Sequence, residues 1–311
     1  MISVRDLRVD YDNVCAVRDL SFEVGSGVVF GLIGPNGAGK TTTMRSVLGL
    51  IEPTYGDIRV GGVDIRENPE EGVGQIGFMP DFPPMYEDLL VWEFLDLFAA
   101  SYYVPRKQRP DVIEQYLQLV GLWEKRDSFI PELSRGMRQR LMLAKTLIPD
   151  PQVLLLDEPA SGMDPHGRAD LKQILRNLAA RNKAVLVSSH ILSEMSEFCN
   201  AVGIMERGRM VISGSVDEVS RQVMGHAVLT VELLRSDKTD AFLSVLGRDK
   251  SAGPVHEEGA GKYEFTYDGE AADAAELLKR LVMAGIPVVS FARKKEGLEE
   301  LFLKVGAREL S

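Results

Sequence analysis

Residues 28–41 read VVFGLIGPNGAGKT, and this stretch decides the fold. Its first six residues form a continuous apolar run, which is typical of a strand buried on both faces of a parallel sheet. The next eight match the pattern G-x-x-x-x-G-K-[ST], in which glycines let backbone N–H groups converge on phosphate oxygens. A helix predicted from Lys40 to about Leu50 adds the partial positive charge of its N-terminus. The stretch therefore predicts a nucleoside triphosphate site.

The loop residues are predicted to have different roles in binding the phosphates. Lys40 is placed to neutralise the β- and γ-phosphates, and the Thr41 hydroxyl is placed to ligate Mg²⁺. The residues predicted to contact the nucleotide here are Asn36, Gly37, Ala38, Gly39, Lys40, Thr41 and Thr42.

A second apolar run, Val153–Leu156, ends in the carboxylates Asp157 and Glu158. The active sites of open parallel sheets lie at such carboxyl ends. We expect Asp157 to hold Mg²⁺ through a water, and Glu158 to polarise the attacking water as a general base. An acidic pair alone is weak evidence, because helix N-termini also favour Asp and Glu. Together with the phosphate loop it indicates nucleotide hydrolysis.

The rest of the chain predicts an α/β fold in two domains. Residues 1–25 alternate apolar and polar, as half-buried antiparallel strands do. A helical subdomain over about 85–147 is followed by strands and helices in alternation, which predicts a mainly parallel sheet with helices on both faces. We place the boundary near 220, giving domains 1–220 and 221–311. The second has β-α-β-β-α-β order, as in a ferredoxin-like α+β fold, when Val255–Glu258 is counted as a strand. The rest of the glycine-rich stretch Gly247–Gly261 is predicted to be a loop, and Leu298–Val305 a last helix.

Composition narrows the class of protein. The 311 residues carry a net charge of −10, which argues against a nucleic-acid-binding face. The longest apolar runs are far shorter than the ~20 residues that span a bilayer, and the N-terminus lacks an apolar signal core. The two cysteines have no metal-ligand spacing and read as reduced thiols. We therefore expect a cytoplasmic protein.

Further motifs resemble those of the ABC-type ATPases. Residues 133–141 read LSRGMRQRL and resemble the family signature L-S-G-G-Q ahead of the acidic strand. Residues 161–164 (SGMD) resemble its D-loop, and residues 188–190 (SSH) its histidine switch. Tyr11 resembles the aromatic residue that stacks on adenine, with Val17 as its apolar companion. These elements occur in the family's order, and the whole chain resembles exporter ATPases that work with an ABC-2-type permease.

The resemblance implies a mechanism. Two copies, or this chain and a paralogue, would meet head to tail around ATP and Mg²⁺. Ser134 and the Gly136 amide would face the γ-phosphate bound by the partner, with Asp164 at the same interface. His190 would contact the γ-phosphate and position the water. The dimer would bind an integral membrane permease at the cytoplasmic face of the membrane, with no nucleic acid involved.

Three positions depart from the family pattern. Asp81 follows the predicted strand Gln75–Met79, where the family has a glutamine that reaches Mg²⁺ and the water. Asp81 is therefore a candidate metal ligand, whereas Gln75 is not, because it would lie inside the strand. In the signature, Arg135 replaces the first glycine and Met137 replaces the glutamine. One hypothesis is that Arg135 adds positive charge beside the partner's γ-phosphate, and the alternative is that it points to solvent.

The family surface that receives a helix of the permease corresponds to residues 83–90. Met85, Tyr86 and Leu89 could form an apolar socket there. Packing within the protein is the alternative for all three residues and the favoured one for Leu89. Two other functions stay open: an ABC ATPase without a permease, and a regulatory module that barely hydrolyses nucleotide. No catalytic pattern follows residue 220, so we expect the second domain to regulate or support the dimer. The transported substrate is not encoded here; lipid, polysaccharide, drug and peptide all fit.

Overall fold

The computed structural model describes residues 1–12, 14–81, 85–190, 195, 198–216, 218–219, 227–259 and 261–294. The chain divides into two units, Met1–Val216 and Asp217–Ser311. The sequence prediction placed the domain boundary near residue 220.

Strands and helices alternate through most of the first unit. Its strands are β1 (Ile2–Tyr11), β2 (Val14–Val24), β3 (Val29–Ile33), β4 (Tyr55–Val60), β5 (Val63–Asp64), β6 (Ile76–Met79), β7 (Val153–Asp157), β8 (Ala184–Ser189), β9 (Ala201–Glu206) and β10 (Arg209–Ser215). Its helices are α1 (Lys40–Val47), α2 (Pro69–Val73), α3 (Val91–Ser101), α4 (Arg109–Leu119), α5 (Arg135–Leu147) and α6 (Pro165–Ala180).

A six-stranded sheet in the order β10-β9-β3-β8-β7-β6 forms the centre of this unit. Strands β9, β3, β8, β7 and β6 are parallel, and β10 adds antiparallel to β9 at one edge. Every residue of β3, β7 and β8 is buried, which matches their continuous apolar sequences. The predicted mainly parallel sheet is confirmed. Parallel register brings the carboxyl ends of β3, β7 and β8 to one edge, with Asp157 opposite Ser188.

The N-terminal strands form a second, antiparallel sheet in the order β2-β1-β4-β5, as their alternating sequence predicts. Its buried side chains share one core cluster with those of β3, β7 and β8. Helix α1 lies between these layers and also contributes to the core, through Met44 and Val47. It ends at Val47, short of the predicted Leu50, because Gly49 takes a left-handed φ of +67° that terminates the helix.

Residues 85–147 are less continuously helical than predicted. Helix α3 begins only at Val91, where the Leu90 N–H donates to Glu93 Oε2 at 3.0 Å. Two short 3₁₀ turns, Trp123–Lys125 and Ile130–Glu132, separate α4 from α5. Prolines interrupt this region, since a proline lacks the N–H that a helix interior needs.

The second unit has the predicted β-α-β-β-α-β order. Its elements are β11 (Ala227–Leu233), α7 (Thr239–Leu246), β12 (Ala252–Gly259), β13 (Lys262–Tyr267), α8 (Ala271–Met283) and β14 (Val288–Lys294). The sheet order β12-β13-β11-β14, with all neighbours antiparallel, is the ferredoxin-like arrangement.

One expectation for the second unit is correct in part and another lies outside the described residues. Strand β12 contains the predicted strand Val255–Glu258 but is longer, so it occupies most of Gly247–Gly261, because the stretch pairs with β13 despite its glycines. The predicted last helix, Leu298–Val305, lies outside the described residues. Across the part of the chain that is described, no helix combines the length and apolarity needed to cross a bilayer.

Replacing Leu155 with Ala should destabilise the first unit. Leu155 lies fully buried in β7 between the two layers, so a cavity there should cost about 2–5 kcal/mol. Urea unfolding followed by tryptophan fluorescence measures this unit, because Trp92 and Trp123 both belong to it. The control Leu50→Ala removes a 68% exposed side chain and should change stability by less than about 0.5 kcal/mol. Equal effects of the two variants would contradict the burial of β7.

Candidate nucleotide site

An open cleft of about 630 Å³ lies at the carboxyl edge of the central sheet. It collects residues from the loop after β3, the end of β6 and the end of β7. The lining residues are Ala16, Asn36, Gly37, Ala38, Gly39, Lys40, Thr41, Thr42, Arg45, Phe78, Pro80, Asp81, Asp157 and Glu158. All seven nucleotide-contact residues predicted from the loop sequence are therefore together, with three carboxylates facing them.

The loop after β3 adopts a shape that requires glycine. Gly37 and Gly39 have φ values of +83° and +101°, in the left-handed region. A side chain at Gly34 would collide with the Met205 carbonyl oxygen. Helix α1 starts at Lys40, and none of the described side chains caps its N-terminus by a hydrogen bond. Its first N–H groups are thus left for an anionic ligand.

Lys40 is held inside the loop. Its Nζ donates to the carbonyl oxygens of Gly34 at 2.7 Å and Pro35 at 3.3 Å, and it lies 3.9 Å from Glu158 Oε1. Burial lowers the pKa of this ammonium, while the charges of Glu158 and Asp157 act in the opposite direction. The cation is therefore positioned beside the space where phosphates would lie.

Asp157 connects the loop to the sheet. The Thr41 hydroxyl donates to Asp157 Oδ2 at 3.0 Å, and the Ser188 hydroxyl donates to the other carboxylate oxygen. Asp157 is only 5% exposed. A buried carboxylate is costly unless it is hydrogen-bonded, so these two bonds fix its orientation toward Thr41.

Asp81 lines the same cleft as Asp157 and Glu158. Its Oδ1 is buried and has no hydrogen-bond partner among the described residues. Burial raises the pKa of Asp81, as do the negative charges of Glu158 and Asp157, whereas Arg135 and His190 lower it. An unpaired carboxylate oxygen beside Asp157 is an arrangement that a cation would stabilise. Gln75 precedes β6 and donates through Nε2 to the Glu71 carbonyl at 3.2 Å, so it is not inside the strand as predicted.

Glu158 and His190 are in direct contact. His190 Nδ1 lies 2.9 Å from Glu158 Oε2, and the Glu158 N–H donates to Ser188 Oγ at 3.0 Å. Glu158 has a φ of +49°, an uncommon conformation for a residue with a side chain. Such strain persists only where neighbours hold it, and it concentrates at functional sites. The geometry suits a carboxylate that accepts a proton from water.

Ser188 is the functional residue that sequence reasoning missed. Its hydroxyl bonds both Asp157 and the backbone of Glu158. The only sequence signal was its place in the SSH run of residues 188–190. Its partners depend on the parallel register of β7 and β8, which sequence alone does not reveal.

Three residues predicted to act at a partner's nucleotide are not among the described residues that line this cleft: Ser134, Gly136 and Asp164. Ser134 caps α5, where its Oγ accepts from the Met137 N–H at 3.3 Å. Asp164 caps α6 by accepting from the Gly167 N–H at 2.9 Å. Their expected roles concern a partner's nucleotide and stay predictions.

Val17 is not among the described residues that line the cleft. Its side chain is fully buried, with Cγ2 3.3 Å from the point that a Cβ on Gly39 of the phosphate loop would occupy, and its contact with the nucleotide stays a prediction. Its neighbour Ala16 lines the cleft instead. Tyr11 lies at the end of β1 with 44% of its surface exposed; it is not among the described lining residues, and its stacking on adenine stays a prediction.

A site of this construction, with a serine-capped helix of sequence LSRGM just before the acidic strand, defines an ATPase of the ABC class. Comparison with known proteins agrees. The family model described as "ABC transporter" matches residues 17–161. The model described as "ATP-binding protein DrrA1-3-like, C-terminal domain" matches residues 214–305.

Individual relatives cover nearly the whole chain. The Nod factor export ATP-binding protein I of Rhizobium meliloti (strain 1021) is 33% identical over 99% of this chain and 89% of the relative. The bacitracin transport ATP-binding protein BcrA of Bacillus licheniformis is 32% identical over 98% of this chain and 97% of the relative. A solved ATP-binding subunit of an ABC transporter has a TM-score of 0.64 at 31% identity, covering 71% of this chain and 92% of that one.

The chain belongs to the ATP-binding proteins of ABC transporters, which hydrolyse ATP to power transport. The predicted family and fold class are thereby confirmed.

Replacing Ser188 with Ala should lower ATP turnover about tenfold. The change leaves an oxygen of Asp157 and the Glu158 N–H unpaired in a buried place, at a cost of about 1–3 kcal/mol. Phosphate release measured at saturating ATP tests this, with Ser101→Ala as a control on an exposed serine of α3. Wild-type turnover in Ser188→Ala would show that these bonds do not position the carboxylates.

Proposed function

We propose that this chain powers an exporter, with ATP and Mg²⁺ bound between two ATP-binding subunits and a separate integral membrane permease as partner. The observation that carries the proposal is the whole-chain match to ATP-binding proteins named for export of Nod factor and transport of bacitracin. The match includes the second unit, which has its own family model. An exporter role thus has support from both units.

Within one subunit, the cleft supports binding and hydrolysis of ATP. Lys40 is held by two backbone carbonyls, so it can exchange those bonds for β- and γ-phosphate oxygens with little rearrangement. Glu158 is positioned by His190 and by the backbone bond to Ser188. In this proposal Glu158 orients the attacking water and accepts its proton, and His190 contacts the γ-phosphate.

The residues present fit a magnesium ion. The Thr41 hydroxyl, Asp157 and the unpaired Asp81 oxygen supply the hard oxygen donors that Mg²⁺ prefers. The described residues contain no cluster of three or more His, Cys, Asp or Glu side chains arranged as a complete metal site. That suits Mg²⁺, which is usually held by one or two carboxylates together with substrate phosphates and waters. When bound, it would neutralise charge on the β- and γ-phosphates.

The proposed dimer completes this half-site. Ser134 and Gly136 stand at the N-terminus of α5, away from the lining of their own chain's cleft. Ser134 is exposed, so the helix N-terminus can meet the γ-phosphate of a second subunit. Identical chains or a pair of paralogues satisfy this geometry equally. Asp164 belongs to the same face in this proposal.

The permease would contact the segment before α3. Tyr86 is 58% exposed while its ring centroid lies 6.5 Å from that of Phe94, which places an anchored aromatic at the surface. Met85 and Leu89 are half-buried beside it. Pro83 and Pro84 lie outside the described residues. Through this segment the subunit would bind the permease at the cytoplasmic face of the membrane.

Asp81 favours one second candidate, a nucleotide-dependent regulator that barely hydrolyses ATP. A carboxylate there replaces the neutral glutamine of the family pattern and adds a third negative charge beside Asp157 and Glu158. Extra negative charge near the γ-phosphate would slow the attack of water. Steady-state hydrolysis decides between the two candidates.

Replacing Glu158 with Gln should lower hydrolysis by at least about a hundredfold while leaving ATP binding intact, because the amide cannot accept the proton. Phosphate release by the wild type, compared with this variant and with exposed Asp57→Asn, measures it. A wild-type rate no higher than that of Glu158→Gln would favour the regulator.

The same variant should trap the assembled transporter. Pull-down from native membranes in detergent, with ATP and Mg²⁺ present, should recover a membrane protein with several spans in near-stoichiometric yield. Recovery of soluble or ribosomal proteins alone would contradict the exporter proposal while leaving the ATPase assignment intact.

Replacing Asp81 with Asn should raise the Mg²⁺ concentration needed for half-maximal hydrolysis about fivefold, because the proposed metal site loses one negative charge. Titration of the rate with Mg²⁺ at saturating ATP gives the half-saturating concentration. Asp57→Asn, on the exposed side of β4, removes the same charge elsewhere. An unchanged Mg²⁺ requirement in Asp81→Asn would remove Asp81 from the metal site.

A further inference from the structure

Arg135 occupies an electrostatically unfavourable position. It is the first residue of α5, directly after the capping residue Ser134. The N-terminus of a helix carries partial positive charge, so a cation in the first turn is repelled. A guanidinium placed there needs compensating contacts, and the structure shows where they are.

The Arg135 guanidinium lies against the turn at residues 161–164, which follows β7. A Cβ added to Gly162 would come within 2.5 Å of Arg135 Cζ and Nε, so the side chain fills the space that this glycine leaves open. Gly162 has a φ of +70°. Arg135 Nη2 also donates to Ser161 Oγ at 3.2 Å. Arg135 therefore packs on and bonds to the 161–164 turn of its own chain.

Backbone hydrogen bonds connect that turn to Glu158. The Ser161 N–H donates to the Glu158 carbonyl at 3.0 Å, and the Met163 N–H donates to the Ala160 carbonyl at 3.1 Å. Met163 is buried. A displacement of Ser161 would thus be transmitted to Glu158, three residues earlier.

The same helix also holds the end of β6. Gln139 is buried on α5, and its Nε2 donates to the Asp81 carbonyl at 3.3 Å. The positive charge of Arg135 acts on the Asp81 carboxylate as well, lowering its pKa against burial and the neighbouring carboxylates. The first turns of α5 therefore contact both loops that present acidic residues to the cleft.

We propose that Arg135 is a positioning residue for ATP hydrolysis: within one chain it ties the signature helix to Ser161 and Gly162, and so holds Glu158 in place. This role differs from contact with a partner's γ-phosphate, because the guanidinium is engaged by its own chain. It rests on the proposed role of Glu158 in hydrolysis and is independent of the permease and the exporter assignment.

Turnover and ATP affinity of Arg135 variants test the proposal. Arg135→Gln should lower kcat about fivefold and leave KM for ATP within about twofold, because a positioning contact acts on the chemical step. Arg135→Lys should not restore kcat, since a point charge lacks the planar group that packs on Gly162. Ser161→Ala, which removes only the acceptor, should reproduce part of the loss. Full restoration by lysine would overturn the proposal and favour simple attraction to phosphate.

A double-mutant cycle makes the test specific to this contact. Gly162→Asn keeps a residue that tolerates positive φ but puts a Cβ where the guanidinium lies. It should lower kcat in the wild-type background by a factor similar to that of Arg135→Gln. In the Arg135→Gln background it should have no further effect, because the obstructed contact is already gone. Equal losses in both backgrounds would overturn the proposal. Thermal unfolding of each variant identifies any loss of kcat that reflects misfolding.

Discussion

The buried carboxylate of Asp157 is the interaction on which the site depends. Its two oxygens accept from Thr41 on α1 and from Ser188 on β8, while its backbone belongs to β7. Burying that charge is tolerable only because both hydrogen bonds are made. The bonds in turn require the carboxyl ends of β3, β7 and β8 to be level, which parallel register ensures. One residue thus connects the phosphate loop, the acidic strand and the histidine-bearing strand end.

The chain turns directly after Asp157, and Glu158 adopts the left-handed backbone conformation that this turn requires. Its positive φ is maintained by the Ser188 hydroxyl at its N–H and by His190 and Lys40 at its carboxylate. In the proposed function, this preorganisation would place a charged group before the substrate arrives, so that little reorganisation is needed during the reaction. The cleft is open to solvent on one side and backed by the buried central sheet on the other.

Most of the fold could be predicted because it rests on local patterns. Continuous apolar runs identified β3, β7 and β8, and the loop sequence predicted the glycine-rich turn that joins β3 to α1. The orientation of Val17 could not be predicted from alternation alone, because pairing of β1 with β2 shifts register between Val9 and Asp10. A one-residue shift moves a side chain to the other face of a strand, and here Val17 is buried while its neighbour Ala16 lines the cleft. The contacts of Ser188 were not predicted for a related reason, since its hydrogen-bond partners Asp157 and Glu158 lie on or just after another strand.

Two of the departures from the family sequence, Asp81 and Arg135, lie far apart along the chain, but the charge of one acts on the other in the structure. Asp81 adds a negative charge to a cleft that already holds Asp157 and Glu158, and Arg135 supplies a positive charge whose field acts on Asp81. Arg135 lies at the N-terminus of α5, where the helix dipole disfavours a cation. The same helix also contacts the Asp81 loop, because Gln139 donates a hydrogen bond to the Asp81 carbonyl. Each substitution alone would unbalance the charge of its surroundings. The compensation is partial, because burial and the two neighbouring carboxylates raise the pKa of Asp81 more than Arg135 lowers it. The two substitutions are therefore better considered together than as separate losses of a family residue.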